Sequence, residues 1–149
     1  SVKIITDHVD KGLEYAKKYH LPEEITEAIY QHHGTLPVIY FYRKAQSFTE
    51  GEVDKSMFSY HNETPKNKIN AILMIADACE AAIRAIKSPS IETVTKVVND
   101  IVDERLKLGQ FDDCPITLKE LYIIKTTIIT SVPAVMHERV SYQDALRRN

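Results

Sequence analysis

Apolar residues recur every three to four positions through long stretches of this chain, and that spacing restricts the fold to helices. Ile5, Val9, Leu13 and Ala16 follow it near the start, as the inner face of an amphipathic helix requires. Only four of the 149 residues are glycine and none is tryptophan, which favours helices over a β-sandwich. We therefore predict one all-α domain.

Capping and turn residues divide the chain into helices. Pro22 suits the first turn of a helix, Gly34 suits a left-handed stop, and Thr117-Leu-Lys-Glu120 has the form of a capping box. The predicted helices are Ile4–Tyr19, Pro22 to Gly34, Val38–Gln46, a short one near Val53–Phe58, Lys66–Ile86 capped by Thr64, Ser90 to Gly109, and Thr117 to a kink or end at Pro133. On Lys66–Ile86 the predicted buried stripe is Ile69, Ile72, Leu73, Ala76, Cys79 and Ile83.

The overall composition narrows the class of protein. A formal net charge of −2 gives no support for a DNA- or RNA-binding surface. No run approaches the roughly 18–20 apolar residues of a membrane helix, and no signal peptide opens the chain. Helical spacing is present from the first residues, which predicts a segment of a longer protein. Cys79 and Cys114 lack CxxC spacing and are expected to be reduced thiols, with a disulfide between them as the alternative.

The adjacent histidines His32 and His33 are the strongest indication of function. Neighbouring side chains on a helix diverge by about 100°, so one apolar face cannot bury both, whereas two imidazoles can reach two metal ions. With His8 and Asp77 they form a candidate set of metal ligands. The alternatives are a hydrogen-bonded core histidine for His8, a polar helix end for the pair and an ion pair for Asp77. We assign surface roles to the remaining histidines, His20, His61 and His137.

Ordered motifs occur along nearly the whole chain. They are His8-Val-Asp-Lys-Gly-Leu13, Ile29-Tyr-Gln-His-His-Gly-Thr35, Tyr40-Phe-Tyr-Arg-Lys-Ala45, Ala71-Ile-Leu-Met-Ile-Ala-Asp-Ala-Cys-Glu-Ala-Ala-Ile-Arg84, Gly109-Gln-Phe-Asp-Asp-Cys-Pro-Ile-Thr-Leu118 and His137-Glu-Arg-Val-Ser-Tyr142. Together they resemble the HD-domain phosphohydrolases, above all the intracellular domain of the seven-transmembrane receptor–HD family. The resemblance implies an HD-domain-like helical bundle. Residues 1–149 would be its C-terminal part, truncated on the N-terminal side, with the family's first histidine and its His-Asp pair upstream.

The resemblance also implies a function. It points to a dimetal phosphodiesterase that converts a cyclic dinucleotide, with cyclic di-AMP the leading candidate, to the linear dinucleotide. His8, His32, His33 and Asp77 match family ligands for two divalent ions, with iron or manganese the leading candidates. The bridging aspartate would lie upstream, so this chain alone is expected to hydrolyse little. The parent protein would be an inner-membrane receptor, and this would be its cytoplasmic domain, anchored through upstream helices.

The residues after the histidine pair are candidates for binding that substrate. Tyr40 and Tyr42 could stack on adenine, and Arg43 and Lys44 could meet phosphate charge. The alternatives are core aromatics and a solvated helix end. Helices missing upstream would leave an apolar face on the first helix, which predicts self-association or a shifted first helix. The candidates for that face are Ile4, Ile5 and Val9.

Two other functions stay open. One is hydrolysis of cyclic di-GMP by the related HD-GYP type, whose Gly-Tyr-Pro signature corresponds here to Gly34-Thr-Leu-Pro37. That mismatch disfavours it. The other is a helical sensor or interaction module that keeps the HD scaffold without catalysis.

Overall fold

The computed structural model describes the backbone of residues 2–146 and the side chains of residues 5–132. Within that range the chain is all helical, as predicted, with one isolated antiparallel bridge between Pro37 and Ser59 and no strand. The α-helices are α1 Val2–Lys18, α2 Glu23–Gln31, α3 Ile39–Phe48, α4 Lys68–Arg84, α5 Ile91–Lys107 and α6 Leu118–Leu146, and a short 3-10 helix spans Lys55–Phe58. None of the described helices is long and apolar enough to cross a membrane.

Several of the predicted helix boundaries are confirmed by their caps. Gly34 and Gly109 have φ angles of 52° and 66°, the left-handed backbone that ends helices. Thr117 N donates to Glu120 Oε2 at 2.8 Å and Glu120 N donates to Thr117 Oγ1 at 3.2 Å, which is the reciprocal pattern of a capping box.

The predicted cap of α4 was wrong, and one of the two outcomes predicted at Pro133 is excluded. Asn67 rather than Thr64 caps α4, because its Oδ1 accepts from Asn70 N at 2.9 Å, while the Thr64 hydroxyl donates to Asp113. The last helix does not end at Pro133, since α6 continues to Leu146, so the kink predicted as the alternative stays a prediction.

The chain divides into two compact units. The first consists of Ser1–Met74 and Arg105–Ile116. In it α1 packs against α2 so closely that a Cβ at Gly12 would lie 2.8 Å from Ile29 Cγ2. Val9 is fully buried, so its predicted place on an exposed apolar face was wrong. Ile5 is partly exposed, and the side chain of Ile4 lies outside the described residues.

The predicted buried stripe on α4 was also largely wrong. Ile69 is 76% exposed, whereas Asn70 is buried and donates through Nδ2 to Gln31 Oε1 at 2.8 Å. That hydrogen bond fixes which side of α4 faces inward, because a buried amide without a partner would be costly. Ile72 and Leu73 are exposed with Ile69 and Ala76, and the buried α4 positions are instead Asn70, Ala71, Met74, Ile75 and Cys79.

The second unit consists of Ile75–Glu104 and Thr117–Asn149. On α5 the buried side chains of this unit recur at i, i+4 and i+8, and a further one lies near the start of α6. They are Val94, Val98, Val102 and Leu121. Both cysteines of the chain, Cys79 and Cys114, are buried, and neither forms a disulfide.

Candidate metal centre

The histidine pair lies in the turn where α2 ends. His32 is the C-terminal cap of α2, with its backbone N–H bonded to Ala28 O. His33 follows, and Gly34 then turns the chain with a positive φ while its N–H donates to Gln31 O at 3.0 Å. Because the helix stops here, the two rings are not held to the 100° divergence of consecutive helical residues. Their centroids are 4.0 Å apart.

His8 on α1 completes a cluster of three imidazoles. Its Nε2 lies 3.1 Å from His33 Nε2 and 3.4 Å from His32 Nε2. In the part of the chain whose side chains are described, residues 5–132, these three histidines form one group of candidate metal ligands. Their ligand atoms all lie within 4.8 Å of one another. The predicted ligands from α1 and from the end of α2 therefore meet.

Backbone carbonyls determine which ring nitrogens are available. His8 Nδ1 donates to Ile5 O at 2.5 Å, and His32 Nδ1 donates to Ile29 O at 2.8 Å. A carbonyl oxygen only accepts, so each Nδ1 carries the hydrogen, and in the neutral ring each Nε2 then carries a lone pair. Two lone pairs face each other at 3.4 Å between His8 and His32, an arrangement that a cation between them would stabilise.

The spacing of the nitrogens fits ligation of a metal. With metal–nitrogen bonds of about 2.1 Å, two ligands lie about 3.0 Å apart at a right angle and about 3.4 Å apart at the tetrahedral angle. The observed separations of 3.1 and 3.4 Å fall in that range. Ligating histidines also usually bond through the second nitrogen to a carbonyl or carboxylate, as His8 and His32 do.

Tyr60 forms a wall of the cluster. It is buried, its ring stacks on His33 at 4.4 Å with an interplanar angle of 17°, and it meets His8 edge-on at 6.1 Å. Burial lowers the pKa of His33 from 6.5 to about 3, and the nearby charges of His32, His8 and Arg105 act in the same direction. His33 is therefore neutral at physiological pH, the form that binds metals.

The candidate substrate residues lie on two sides of α3. Tyr40, Arg43 and Lys44 line an open cavity of about 640 Å³, together with Ile39, Ser47 and Phe48 of the same helix. Tyr42 is not among the lining residues. Its ring instead contacts Phe58, with centroids 6.0 Å apart, and lies under Lys55.

Comparison with known proteins places this chain in context. No protein-family model matches it. The sequence is 36% identical over 141 residues, 95% of the chain, to the cyclic-di-AMP phosphodiesterase PgpH of Listeria monocytogenes, and 33% identical over 148 residues to PgpH of Bacillus subtilis. Its fold matches the crystal structure of the L. monocytogenes PgpH HD domain with a TM-score of 0.85 at 34% identity, and that domain's complex with cyclic di-AMP with a TM-score of 0.87.

This chain is similar to the PgpH HD domain in sequence and in fold. The similarity covers 91% of the chain and 63% of the solved HD domain, while the chain spans about a fifth of the length of the two PgpH proteins. The predicted HD-domain resemblance and all-α fold are thereby confirmed.

Asp77 and the histidines outside the cluster were also given roles from the sequence. Asp77 is an exposed residue of α4 in the second unit and is not in the three-histidine group, so its role as a ligand stays a prediction. His20 and His61 are exposed, as predicted. The side chain of His137 lies outside the described residues.

Tyr60, Gln31 and Gln110 support the histidine turn, although the sequence pattern predicted no role for them. Tyr60 lies in a loop without periodic spacing, and the bridge between Pro37 and Ser59 brings it to the cluster. Gln110 belongs to a family-like motif and comes directly after Gly109. Its position between the helix-ending Gly109 and Phe111 gave no clear signal of its burial.

Proposed function

We propose that this chain supplies metal ligands to a dimetal phosphodiesterase that hydrolyses cyclic di-AMP. The main support is the close approach of three candidate ligands, His8, His32 and His33. We propose cyclic di-AMP as the substrate because the chain is similar to PgpH, which is named a cyclic-di-AMP phosphodiesterase. Bound ions would activate a water and neutralise phosphodiester charge. Iron and manganese are the ions we propose, because imidazole and carboxylate ligands suit both.

The chain's own residues prepare this site for a metal. Hydrogen bonds to Ile5 O and Ile29 O orient two of the rings and direct their Nε2 lone pairs into the cluster. Tyr60 covers one face of His33 and limits its access to water. The rings of His8 and His32 are therefore oriented before an ion arrives, which lowers the cost of binding.

Three histidines do not complete a dimetal site. We propose that Asp77 is a further ligand and that the bridging carboxylate comes from a part of the HD domain outside these 149 residues, which match 63% of the solved domain. We accordingly expect this chain alone to hydrolyse cyclic di-AMP poorly. We also propose, on the receptor–HD resemblance, that the parent protein is membrane-anchored and holds this domain in the cytoplasm.

We propose that the exposed face of α3 receives part of the substrate. Tyr40 offers an aromatic ring that is 68% exposed, and such rings stack on bases. Arg43 and Lys44 line the same cavity and carry the positive charge that phosphate requires. Tyr42 faces Phe58 and Lys55 instead, so we give it no more than a supporting role.

Histidine variants test the metal site against matched controls. We expect His8→Ala and His32→Ala to lower Mn²⁺ affinity by at least about 100-fold, more than the 10–100-fold typical of indirect partners of a metal. His20→Ala and His61→Ala remove exposed histidines and should leave affinity unchanged. Calorimetric titration measures this. Equal losses in all four variants, or no Mn²⁺ binding by the unmodified chain, would contradict the proposal.

Activity is tested in the parent protein. There, His32→Ala should abolish hydrolysis of cyclic di-AMP while His61→Ala keeps it, with the linear dinucleotide measured by chromatography. Full activity of the His32→Ala protein would assign the parent's hydrolysis to another site and leave this scaffold as a non-catalytic module.

A further inference from the structure

We propose that Gln110 is a positioning residue that orients the His32–His33 pair from a distant part of the sequence. This inference rests on the proposed metal site and deepens it. Gln110 follows α5, 75 residues after the turn that it contacts, and only 2% of its surface is exposed. Its side-chain hydrogen bonds go to Thr35 and Leu108 and not to His32 or His33, so its effect would be on where the two rings lie.

The Gln110 amide is fully engaged, mostly by Thr35. Its Oε1 accepts from Thr35 N at 3.0 Å, and its Nε2 donates to Thr35 Oγ1 at 2.9 Å and to Leu108 O at 3.1 Å. An amide has two hydrogens to donate, and both are used. Thr35 is thus fixed through its backbone and its side chain, two residues after His33.

The turn also has little space in which to move. Leu36 N donates to His33 O at 3.1 Å, so the pinned Thr35 lies inside a closed turn that begins at His33. At Gly34 a Cβ would overlap Gln110 Oε1 and lie 2.9 Å from Met74 Cε. The backbone at Gly34 therefore packs directly against the Gln110 amide.

A second buried glutamine holds the other side of the pair. Gln31, immediately before His32, is also 2% exposed, and its Oε1 accepts from Lys66 N at 3.1 Å and from Asn70 Nδ2 at 2.8 Å. The two histidines thus lie between two anchored residues. Burying a polar group costs free energy unless the group is hydrogen-bonded. A buried group whose hydrogen bonds are all formed favours one geometry of its surroundings. Metal ligands need that precision, within about 0.5 Å.

A purely structural role would make Gln110 variants unstable without changing the metal site. We therefore compare Gln110→Met, which keeps the size and removes all three hydrogen bonds, with Thr117→Ala, which breaks the capping box of α6 in the second unit. Thr35→Val removes only the hydroxyl contact and serves as a milder second variant. All are made in the full 149-residue chain and measured at a temperature where circular dichroism shows complete folding.

Co²⁺ is the probe, because its visible absorption bands report the coordination geometry. We expect Gln110→Met to bind Co²⁺ about 10- to 100-fold more weakly, as for other indirect partners of a metal, with altered bands. Thr35→Val should show a smaller change of the same kind, and Thr117→Ala should keep the bands and the affinity. Unchanged bands and affinity in folded Gln110→Met would overturn the inference. If that variant does not fold, an unchanged Thr35→Val would overturn it.

A measurement without metal separates this inference from the metal site. Nitrogen-15 resonances of the imidazole rings report ring environment and tautomer. We expect Gln110→Met or Thr35→Val to shift the His32 and His33 resonances while Thr117→Ala leaves them in place. Failure of the unmodified chain to bind Co²⁺ would end the proposed function, and the ring resonances would still decide whether Gln110 positions the pair. Equal shifts in Thr117→Ala would overturn the positioning role.

Discussion

The turn that carries His32 and His33 and the exposed face of α3 follow each other in the chain, yet they are built differently. Buried amides hold the turn on both sides, carbonyls orient two of the three rings, and Tyr60 stacks on the third. The cavity on α3 is lined by residues of α3 alone, and one of them, Phe48, is 80% exposed. The first region is organised without any ligand, whereas we expect the exposed side chains of the second to become ordered only when a ligand binds.

This difference matches the two tasks we propose. A metal ion requires several ligand atoms within a few tenths of an ångström, so the ligands must be fixed before it binds. A dinucleotide can be met by exposed aromatic and basic side chains that adjust to it, at the cost of ordering them on binding. Substitutions should therefore have large effects in the turn and small effects on α3.

The largest expected effect comes from adding one methyl group to the turn. Gly34→Ala meets both a positive φ and direct overlap with Gln110 Oε1, so we expect it to lower the free energy of unfolding by about 3 kcal/mol, the upper end for backbone strain. Gly109 is the matched control: its φ of 66° is similar, but an added Cβ would meet only the carboxylate of Asp112, an exposed side chain that can move away. Urea denaturation measures both. Equal losses would show that backbone strain alone acts and that the turn is not tightly packed.

Replacing Tyr60 tests the ring that covers His33. Tyr60→Leu removes an aromatic stack at 4.4 Å, and we expect Mn²⁺ affinity to fall by about tenfold, the low end for residues that support a ligand. Tyr60→Phe keeps the ring and should stay near the unmodified affinity. Titration calorimetry compares the two. Similar losses in both variants would assign the effect to the hydroxyl rather than to stacking.

The metal-free protein should lose stability as the pH falls below 6.5. His33 has a pKa of about 3 when folded and 6.5 when unfolded, so between these values the unfolded chain binds more protons. The free energy of unfolding therefore decreases with decreasing pH across this window. His33→Gln should flatten the dependence, and exposed His61→Gln should not. Denaturation at pH 4.5 and pH 7 tests this, and identical slopes in the two variants would contradict it.

The features of the fold and site that depend on residues close together in the sequence could be predicted from it. The adjacency of His32 and His33 to Gly34 predicted the helix end, and the spacing of Ile5, Val9 and Ala16 predicted α1. The buried face of α4 could not be predicted, because both of its faces are apolar and Asn70 decides between them through Gln31.

The contacts that support the histidines depend on residues far apart in the chain. Tyr60 reaches His33 through a bridge between Pro37 and Ser59, and Gln110 reaches Thr35 from 75 residues away. Periodicity describes single helices and contains no information about such pairings. For that reason the proposed ligands could be identified from the sequence, whereas the residues that orient them could be identified only in the structure.

The smallest effect is expected on α3. Arg43 and Lys44 are exposed, and an exposed ion pair contributes about 0.2–1 kcal/mol. Arg43→Ala or Lys44→Ala alone should therefore weaken cyclic di-AMP binding by no more than about fivefold, and the effect should disappear at high salt because exposed charges are screened. Tyr42→Phe is the control on the opposite side of the helix and should have no effect. Binding is measured in the parent protein with a catalytically silent His32→Ala background. A larger loss of cyclic di-AMP affinity that does not depend on salt would mean that these side chains become buried against the substrate. In that case α3 would be as tightly organised in the complex as the histidine turn is in the free protein.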